Sequence, residues 1–224
     1  MYIYGKNVVK EVFNQKIIEA YVANNFNDKE ILNKLNCKIK YMDKKQLDKI
    51  VDGLHQGIIL KVEDYNYFEI DELIKDNGFL VILDHIEDPH NFGAIIRTCE
   101  AALVDGIIIP KDRSVEVNGT VMKVSSGTLN KIKISKVTNL VQTIDYLKKN
   151  GYWIIGTDIE GTDYKEIDYN GKIAIVIGSE GKGISRLVKE NCDFIASIPM
   201  KGTINSLNAS VATGIVIFKA MERR

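Results

Sequence analysis

The chain has little of what would mark several large protein classes. Its only cysteines, Cys37, Cys99 and Cys192, are odd in number and lie far apart in 224 residues. That suits neither a disulfide framework nor a zinc site, and it fits a reducing compartment. Neither charge dominates, because 30 basic and 30 acidic residues cancel. A global positive field is therefore excluded, and a nucleic-acid partner would have to be held by a local patch. Long apolar runs are missing as well. The opening Met1 to Asn7 has no apolar signal core and no stretch reaches membrane-spanning length, so the expectation is a cytoplasmic protein. No internal repeat or low-complexity tract is present. What remains is an ordinary globular composition, 45% hydrophobic and 27% charged, with ample material for a core.

From Val8 to about Val62, helix-like segments (Val8 to Phe13, Asp28 to Leu35, Lys44 to Ile50) alternate with short β-rich pieces (Ala20 to Ala23, Ile39 to Met42, Gly57 to Val62). This predicts a compact α/β unit over residues 1–62. The polar and aromatic stretch beginning at Glu63 has no clear period and reads as a linker, 63–71. A larger domain follows, 72–224. Strands are expected at Phe79 to Leu83, Gly106 to Ile109, Lys131 to Ser135, Tyr152 to Gly156, Ile173 to Ile177 and Phe194 to Ile198. Helices are expected near Asn91 to Leu103, Val117 to Val124, Leu140 to Lys149, a short one after Ile177, and at the end. Near-continuous Val/Ile runs mark strands covered on both faces, so the fold class is α/β with a mostly parallel sheet and helices on both sides. All three prolines, Pro89, Pro110 and Pro199, follow strands, at the edge where open α/β sheets bind ligands.

Three of these strand exits carry unusual polar residues. In the first, Asp88-Pro-His-Asn-Phe-Gly-Ala-Ile-Ile-Arg97, Asn91 can cap the helix while Phe92, Ile95, Ile96, Cys99 and Leu103 form its buried stripe. Arg97 lies off that stripe with Gly93 and Glu100. It is either half of a surface pair with Glu100 or a functional cation beside a glycine that admits a close approach. The second exit, Ile177-Gly-Ser-Glu-Gly-Lys-Gly-Ile-Ser185, superficially resembles phosphate-binding loops. It matches neither: the glycines run G-x-x-G-x-G, Ile184 stands where a P-loop needs lysine, and Glu180 would repel a polyanion. The third exit, Pro199 to Asn208, opens the last helix, where Leu207, Val211, Ile215 and Phe218 recur at helical spacing. Asn205 or Ser206 can cap that helix, which leaves Asn208 without a structural task.

Together the three exits resemble, in order and spacing, the signature motifs of the SpoU (TrmH-like) branch of the SPOUT methyltransferases, which methylate RNA ribose 2′-hydroxyls. The region from Tyr4-Gly-Lys-Asn-Val-Val to His55-Gln-Gly-Ile is similar to the small L30e-like RNA-binding domain that precedes the catalytic domain in many members. The resemblance implies S-adenosylmethionine as cofactor, no metal, a homodimer and a deep C-terminal trefoil knot. The two-domain layout implies methylation of a guanosine in large-subunit rRNA, with another rRNA nucleotide or tRNA as the alternative target. A non-catalytic RNA-binding protein with this fold is the alternative of another class. Carried over by position, Asn91 and Arg97 match the first motif's pair, Glu180 the second motif's acid, and Ser206 and Asn208 the third motif's polar pair. Thr157, Gly178, Ile198 and Leu207 match the wall around the adenosyl group.

The chemistry limits these roles. A sulfonium already makes its methyl group electrophilic, so the protein must chiefly align the attacking oxygen. The family proposal makes the arginine a base, yet a guanidinium with a pKa of roughly 12.5–13.8 is a poor base at neutral pH. The alternative role for Arg97 is a charged clamp on the phosphate beside the target ribose, with Ser206 and Asn208 orienting the guanidinium and the hydroxyl. His55, His85 and His90 are the only histidines and invite an acid/base reading, His90 most of all because it precedes Asn91; an ordinary hydrogen-bonding residue is the alternative. Lys131, Lys133, Lys136, Arg113 and Lys123 are the material for a local basic patch, or simply edge lysines that discourage aggregation.

Overall fold

A computed structural model describes residues 1–13, 16–203, 206–222 and 224. In chain order the elements begin β1 (Tyr2–Tyr4), α1 (Lys6–Glu11), β2 (Ile17–Ala23), α2 (Lys29–Lys34), β3 (Lys38–Met42), α3 (Lys44–Leu47), β4 (Ile58–Val62), β5 (Phe79–Asp84) and α4 (Pro89–Ala101). They continue with β6 (Gly106–Pro110), α5 (Gly119–Val124), β7 (Lys133–Val137), α6 (Leu140–Lys149), β8 (Trp153–Asp163), β9 (Ile173–Gly178), α7 (Arg186–Glu190), β10 (Phe194–Ser197) and α8 (Ala209–Met221). Two compact units result, Met1–Asn66 with Val117–Gly127, and Tyr67–Glu116 with Thr128–Arg224. No helix among the described residues is long and apolar enough to cross a membrane.

The first unit is a four-stranded sheet in the order β1-β4-β2-β3. Its first strand, only three residues long, gave no periodic signal in the sequence. The helix anticipated near Val117 to Val124 forms as α5 but packs in this unit, so tightly that a Cβ on Gly119 would lie 2.6 Å from the carbonyl oxygen of Tyr2. His55 is a structural residue here. Its Nδ1 accepts from the Gly57 amide at 3.0 Å, so the proton sits on Nε2, which donates to Asp48 at 2.9 Å.

The second unit is built on a six-stranded sheet ordered β10-β8-β9-β5-β6-β7, with every strand pair parallel. β5 is central, and all six of its residues are buried. One face of the sheet packs Leu80, Ile82, Ile108, Ile154 and Val176 against Leu140, Ile144 and Leu147 of α6 and Val188 of α7. α4 and α8 pack together, with α8 also against β9 and α4 against β6. Chain order reverses between β5 and β9, so their carboxyl ends, Asp84 and Gly178, flank the crevice where such sheets bind ligands.

The buried faces of two helices differ from the sequence-based expectation. α8 buries Ala209, Thr213, Val216, Ile217 and Ala220, while Val211 and Phe218 are exposed. Gly214 faces the Thr98 methyl of α4, where a Cβ would make an ordinary contact at 3.8 Å. Leu103, placed on the α4 stripe by its spacing, follows the end of the helix with φ 55° and points into solvent.

β8 runs well past the expected Gly156. Ile195 of β10 pairs with Gly156, but its neighbour Ala196 pairs with Thr162, so residues 157–161 are extruded from the ladder. Ser197 Oγ pins the bulge by donating to the Ile159 carbonyl at 2.8 Å, and Asp158 accepts from the Glu160 amide at 3.3 Å and pairs with Lys189 at 2.9 Å. Burial pushes the Asp158 carboxyl up, but the Lys189 ammonium and the Glu160 and Ile159 amides outweigh it, and its pKa falls below 3.8. Gly161 is required by the bulge, since a Cβ would lie 2.4 Å from the Ile195 carbonyl oxygen.

Two outcomes follow for stability. Gly161→Ala should lower the melting temperature by about 4–10 °C, from an overpacking cost of about 1–3 kcal/mol. Gly202→Ala, at a glycine with open space around it, should leave it unchanged. For Asp158, a lowered folded-state pKa means stability that is fully present above the unfolded value and lost as the pH drops through the folded one. Asp158→Asn should therefore melt below wild type at neutral pH, and thermal melts should show the gap closing as pH falls below 3.8. A gap that persists into strong acid would assign the bulge's stability elsewhere.

Candidate active site

The first motif starts at a helix terminus. Asp88 is the cap of α4, its carboxylate accepting from the His90 amide at 3.0 Å and the Asn91 amide at 3.3 Å, with Pro89 in the first turn. The capping role expected of Asn91 is thus filled three residues earlier. Asn91, buried, is released for another contact: its Nδ2 donates to Oε1 of Glu180 at 3.1 Å.

The last helix departs from expectation in the opposite way. Asn208 is itself the cap of α8, with Oδ1 accepting from the amides of Ser210 at 3.0 Å and Val211 at 3.4 Å. Ser206 stands two residues earlier and is exposed, and Asn205 lies outside the described residues. Asn208 nevertheless has a second task. Its Nδ2 donates to Asn91 Oδ1 at 2.9 Å and to Glu180 Oε1. The Ala209 amide also donates to Glu180 Oε1, at 3.3 Å, so one carboxylate oxygen collects three donors from two helices. Glu180 also sits favourably at the positive end of α8. Its Oε2 has no hydrogen bond among the described residues and remains available as an acceptor.

The loop that presents Glu180 explains its glycines. Ser179 and Gly183 exchange backbone hydrogen bonds at 3.1 and 2.9 Å, and Gly181 and Gly183 hold φ of 79° and 64°. The loop folds back so closely that a Cβ on Gly178 would lie 2.1 Å from the Gly183 carbonyl carbon. A tight backbone reversal, rather than a phosphate cradle, is what this glycine pattern encodes.

A cavity of about 350 Å³ lies on one side of the loop. Thr157, Gly178, Ile198 and Leu207 all line it, joined by Ser206, Glu180 and the extruded Asp158. Thr157 is fixed by its hydroxyl, which donates to the Val176 carbonyl at 2.9 Å. A second cavity, about 430 Å³, opens on the other side, and both share Ser179, Glu180 and Lys182. Asp84 lines this second cavity, with one carboxylate oxygen bonded to His85 and the other accepting from the Ser185 amide at 2.6 Å.

Arg97 is not brought into this cluster. It is six residues beyond Asn91, about 9 Å further along the helix axis and on another side of it. Exposed to solvent, it has no hydrogen bond or ion pair within the chain among the described residues, so it makes no contact with Ser206 or Asn208. Nor does it pair with Glu100, which binds Lys131 at 3.2 Å. The basic residues do not form one free patch: Lys131 and Lys136 are paired with carboxylates. Lys133 donates to the Glu72 carbonyl at 2.9 Å, Lys136 pairs with Glu116, and Lys123 belongs to the first unit; Arg113 alone lines a cavity. His90 lines neither cavity, whereas His85 does. Asp84 and Asp158 are not among the candidates the sequence offered, whereas His85 is. The available signal was a carboxylate ending the fully apolar run of β5.

No group of His, Cys, Asp and Glu residues able to hold a metal ion occurs among the described residues. The SpoU rRNA Methylase family model matches residues 78–218, and the model of RNA 2′-O ribose methyltransferase substrate binding matches residues 2–68. The protein described as "Putative TrmH family tRNA/rRNA methyltransferase YacO" of Bacillus subtilis is 41% identical over 238 residues, covering 100% of this chain and 96% of its own. A similarly described protein of Staphylococcus saprophyticus is 42% identical over 238 residues, with 99% and 95% coverage. Among solved structures, the SpoU methyltransferase AviRb of Streptomyces viridochromogenes, in complex with AdoMet, superposes with a TM-score of 0.84 at 20% identity, covering 100% of this chain and 89% of its own. The A. aeolicus TrmH/SpoU tRNA modifying enzyme gives 0.60 at 31% identity, covering 68% and 78%. With its parallel sheet, its loop-borne Glu180 and its two Asn partners, the chain belongs to the SpoU rRNA methylase family.

Proposed function

We propose that this protein transfers a methyl group from S-adenosylmethionine to the 2′-hydroxyl of a guanosine in large-subunit rRNA, as a cytoplasmic homodimer. The observation that carries the reading is Glu180 Oε1, held by Asn91, Asn208 and Ala209 at the wall between two cavities. Residues 1–62 would select the RNA and residues 72–224 would carry the chemistry. The smaller cavity fits the cofactor: its size is that of a small-molecule site. Its lining combines the apolar Ile159, Ile177 and Leu207 with backbone edges around Gly178 and Ile198 and, besides Glu180, the carboxylate of Asp158, a suitable neighbour for a cation. When bound, the cofactor supplies an electrophilic methyl group, so no metal is required.

The chain's own groups have distinct tasks in this reading. Asn91 and Asn208 hold Glu180, and its free Oε2 accepts a hydrogen bond from the ribose hydroxyl and aligns its lone pair. Ser206, on the cofactor side, is a second polar contact for that hydroxyl. Arg97, free of any carboxylate, keeps its charge and clamps an RNA phosphate. The exposed Val211, Phe218 and Met221 on α8 support association with a second copy. In this reading the C-terminal part of the chain carries the deep knot that the family resemblance implies.

Incubating the protein with labelled S-adenosylmethionine and unmodified rRNA or tRNA, then mapping the modified ribose by mass spectrometry, tests the substrate. Label on rRNA guanosine is expected; label only on tRNA would move the assignment there, and label on neither would sink it. Asn208→Ser keeps a cap but removes both Nδ2 donations. Turnover should fall about 10–100-fold, as for hydrogen bonds to a charged group, with little change in melting temperature. Arg97→Lys should lose most turnover because lysine keeps the charge without the planar fork; a near-normal rate with unchanged RNA affinity would overturn the clamp.

A further inference from the structure

The second cavity has no task in the reaction as proposed so far. Its composition is specific. Of its three other carboxylates besides Glu180, Asp84 is spent on His85 and Ser185 and Asp88 on capping α4, whereas Glu87 is exposed and has no partner among the described residues. Two cations, Arg113 and Lys182, line the same space and likewise have no carboxylate partner among the described residues. The rim is also conformationally unusual. His85 and Arg113 hold φ of 59° and 51°, a left-handed backbone that non-glycine residues adopt at a cost and that is concentrated at ligand sites.

We propose that this cavity receives the base of the target nucleotide and that Glu87 reads it as guanine. The proposal rests on the catalytic reading of Glu180. Both cavities share that residue, so a nucleotide whose 2′-hydroxyl meets Glu180 opposite the cofactor cavity extends its base into the second one. Single-stranded RNA is read in this manner, with bases splayed out, stacked on flat side chains and hydrogen-bonded along their edges. The imidazole of His85, tied through Nδ1 to the buried Asp84, is a fixed flat group on the cavity wall. The charges select the ligand. A carboxylate accepts two parallel hydrogen bonds from the N1–H and N2–H groups of guanine. Adenine and cytosine offer it one amino group beside a repelling ring nitrogen, and uracil one N–H between two carbonyls. Arg113 and Lys182 supply the positive charge for the flanking phosphates.

The test pairs a protein variant with a base analogue in an RNA fragment that carries the mapped target. Inosine lacks the N2 amino group and so removes one of the two hydrogen bonds to Glu87. Wild type should lose about 10–100-fold in kcat/KM on inosine relative to guanosine, the worth of a good bidentate contact. Glu87→Ala loses both hydrogen bonds on guanosine but only the remaining N1–H one on inosine, so the variant should fall further on guanosine than on inosine and methylate the two with nearly equal kcat/KM, while calorimetry shows unchanged S-adenosylmethionine affinity. Independent, multiplying penalties would overturn the contact, as would Glu87→Ala that methylates guanosine at the wild-type rate, or a mapped target other than guanosine. Arg113→Gln should raise KM several-fold with kcat preserved, and an unchanged KM would remove Arg113 from the site. Failure of wild type to methylate any RNA would instead defeat the underlying enzyme reading and this one with it.

Discussion

One carboxylate oxygen organises the catalytic half of this molecule. Glu180 Oε1 is where the start of α4, the loop after β9 and the start of α8 meet. Each donor is presented by backbone already fixed for its own reasons: Asp88 and Pro89 set the first turn of α4, the Gly178 to Gly183 reversal sets the loop, and Asn208 sets the first turn of α8. Of the side chains of Asn91, Glu180 and Asn208 only that of Asn91 is buried, so loss of Glu180 or Asn208 would leave its amide without a partner away from water, which costs more than the hydrogen bond itself contributes. The geometry of the site is therefore a property of three chain reversals rather than of three side chains.

The same arrangement separates two spaces that have different chemical demands. The cavity bounded by Thr157 and Asp158 is lined largely by apolar side chains and backbone edges, with Asp158 paired to Lys189. The other side is rich in charge and includes strained backbone at His85 and Arg113. A single loop carrying Glu180 borders both.

The sheet was legible in the sequence because its strands are buried on both faces and so are written as unbroken Val/Ile runs, as in β5 and β9. The motif residues were legible as polar residues out of place at strand exits. Cap assignment was not, because Asp88 and Asn91, or Asn205, Ser206 and Asn208, are all competent caps and only the tertiary position of the chain chooses among them. The buried face of α8 was misread for a related reason. Its residues Val211 and Phe218 drew attention, yet the face turned inward carries Ala209, Thr213, Val216, Ile217 and Ala220 instead. The extension of β8 beyond Gly156 was not legible, because residues 157–161 leave the ladder and pairing resumes only at Thr162. Arg97 was legible as a residue type without a structural task, but not as one standing apart from the cluster.

The contact between Asn91 and Asn208 spans 117 residues of sequence. β5 and α4 stand before the Glu180 loop in the chain and α8 after it, so neither end of the second unit can supply the cluster alone. The set of donors around Glu180 is complete only when α8 is docked against α4, which makes the last helix of the chain as much a part of the site as its first motif.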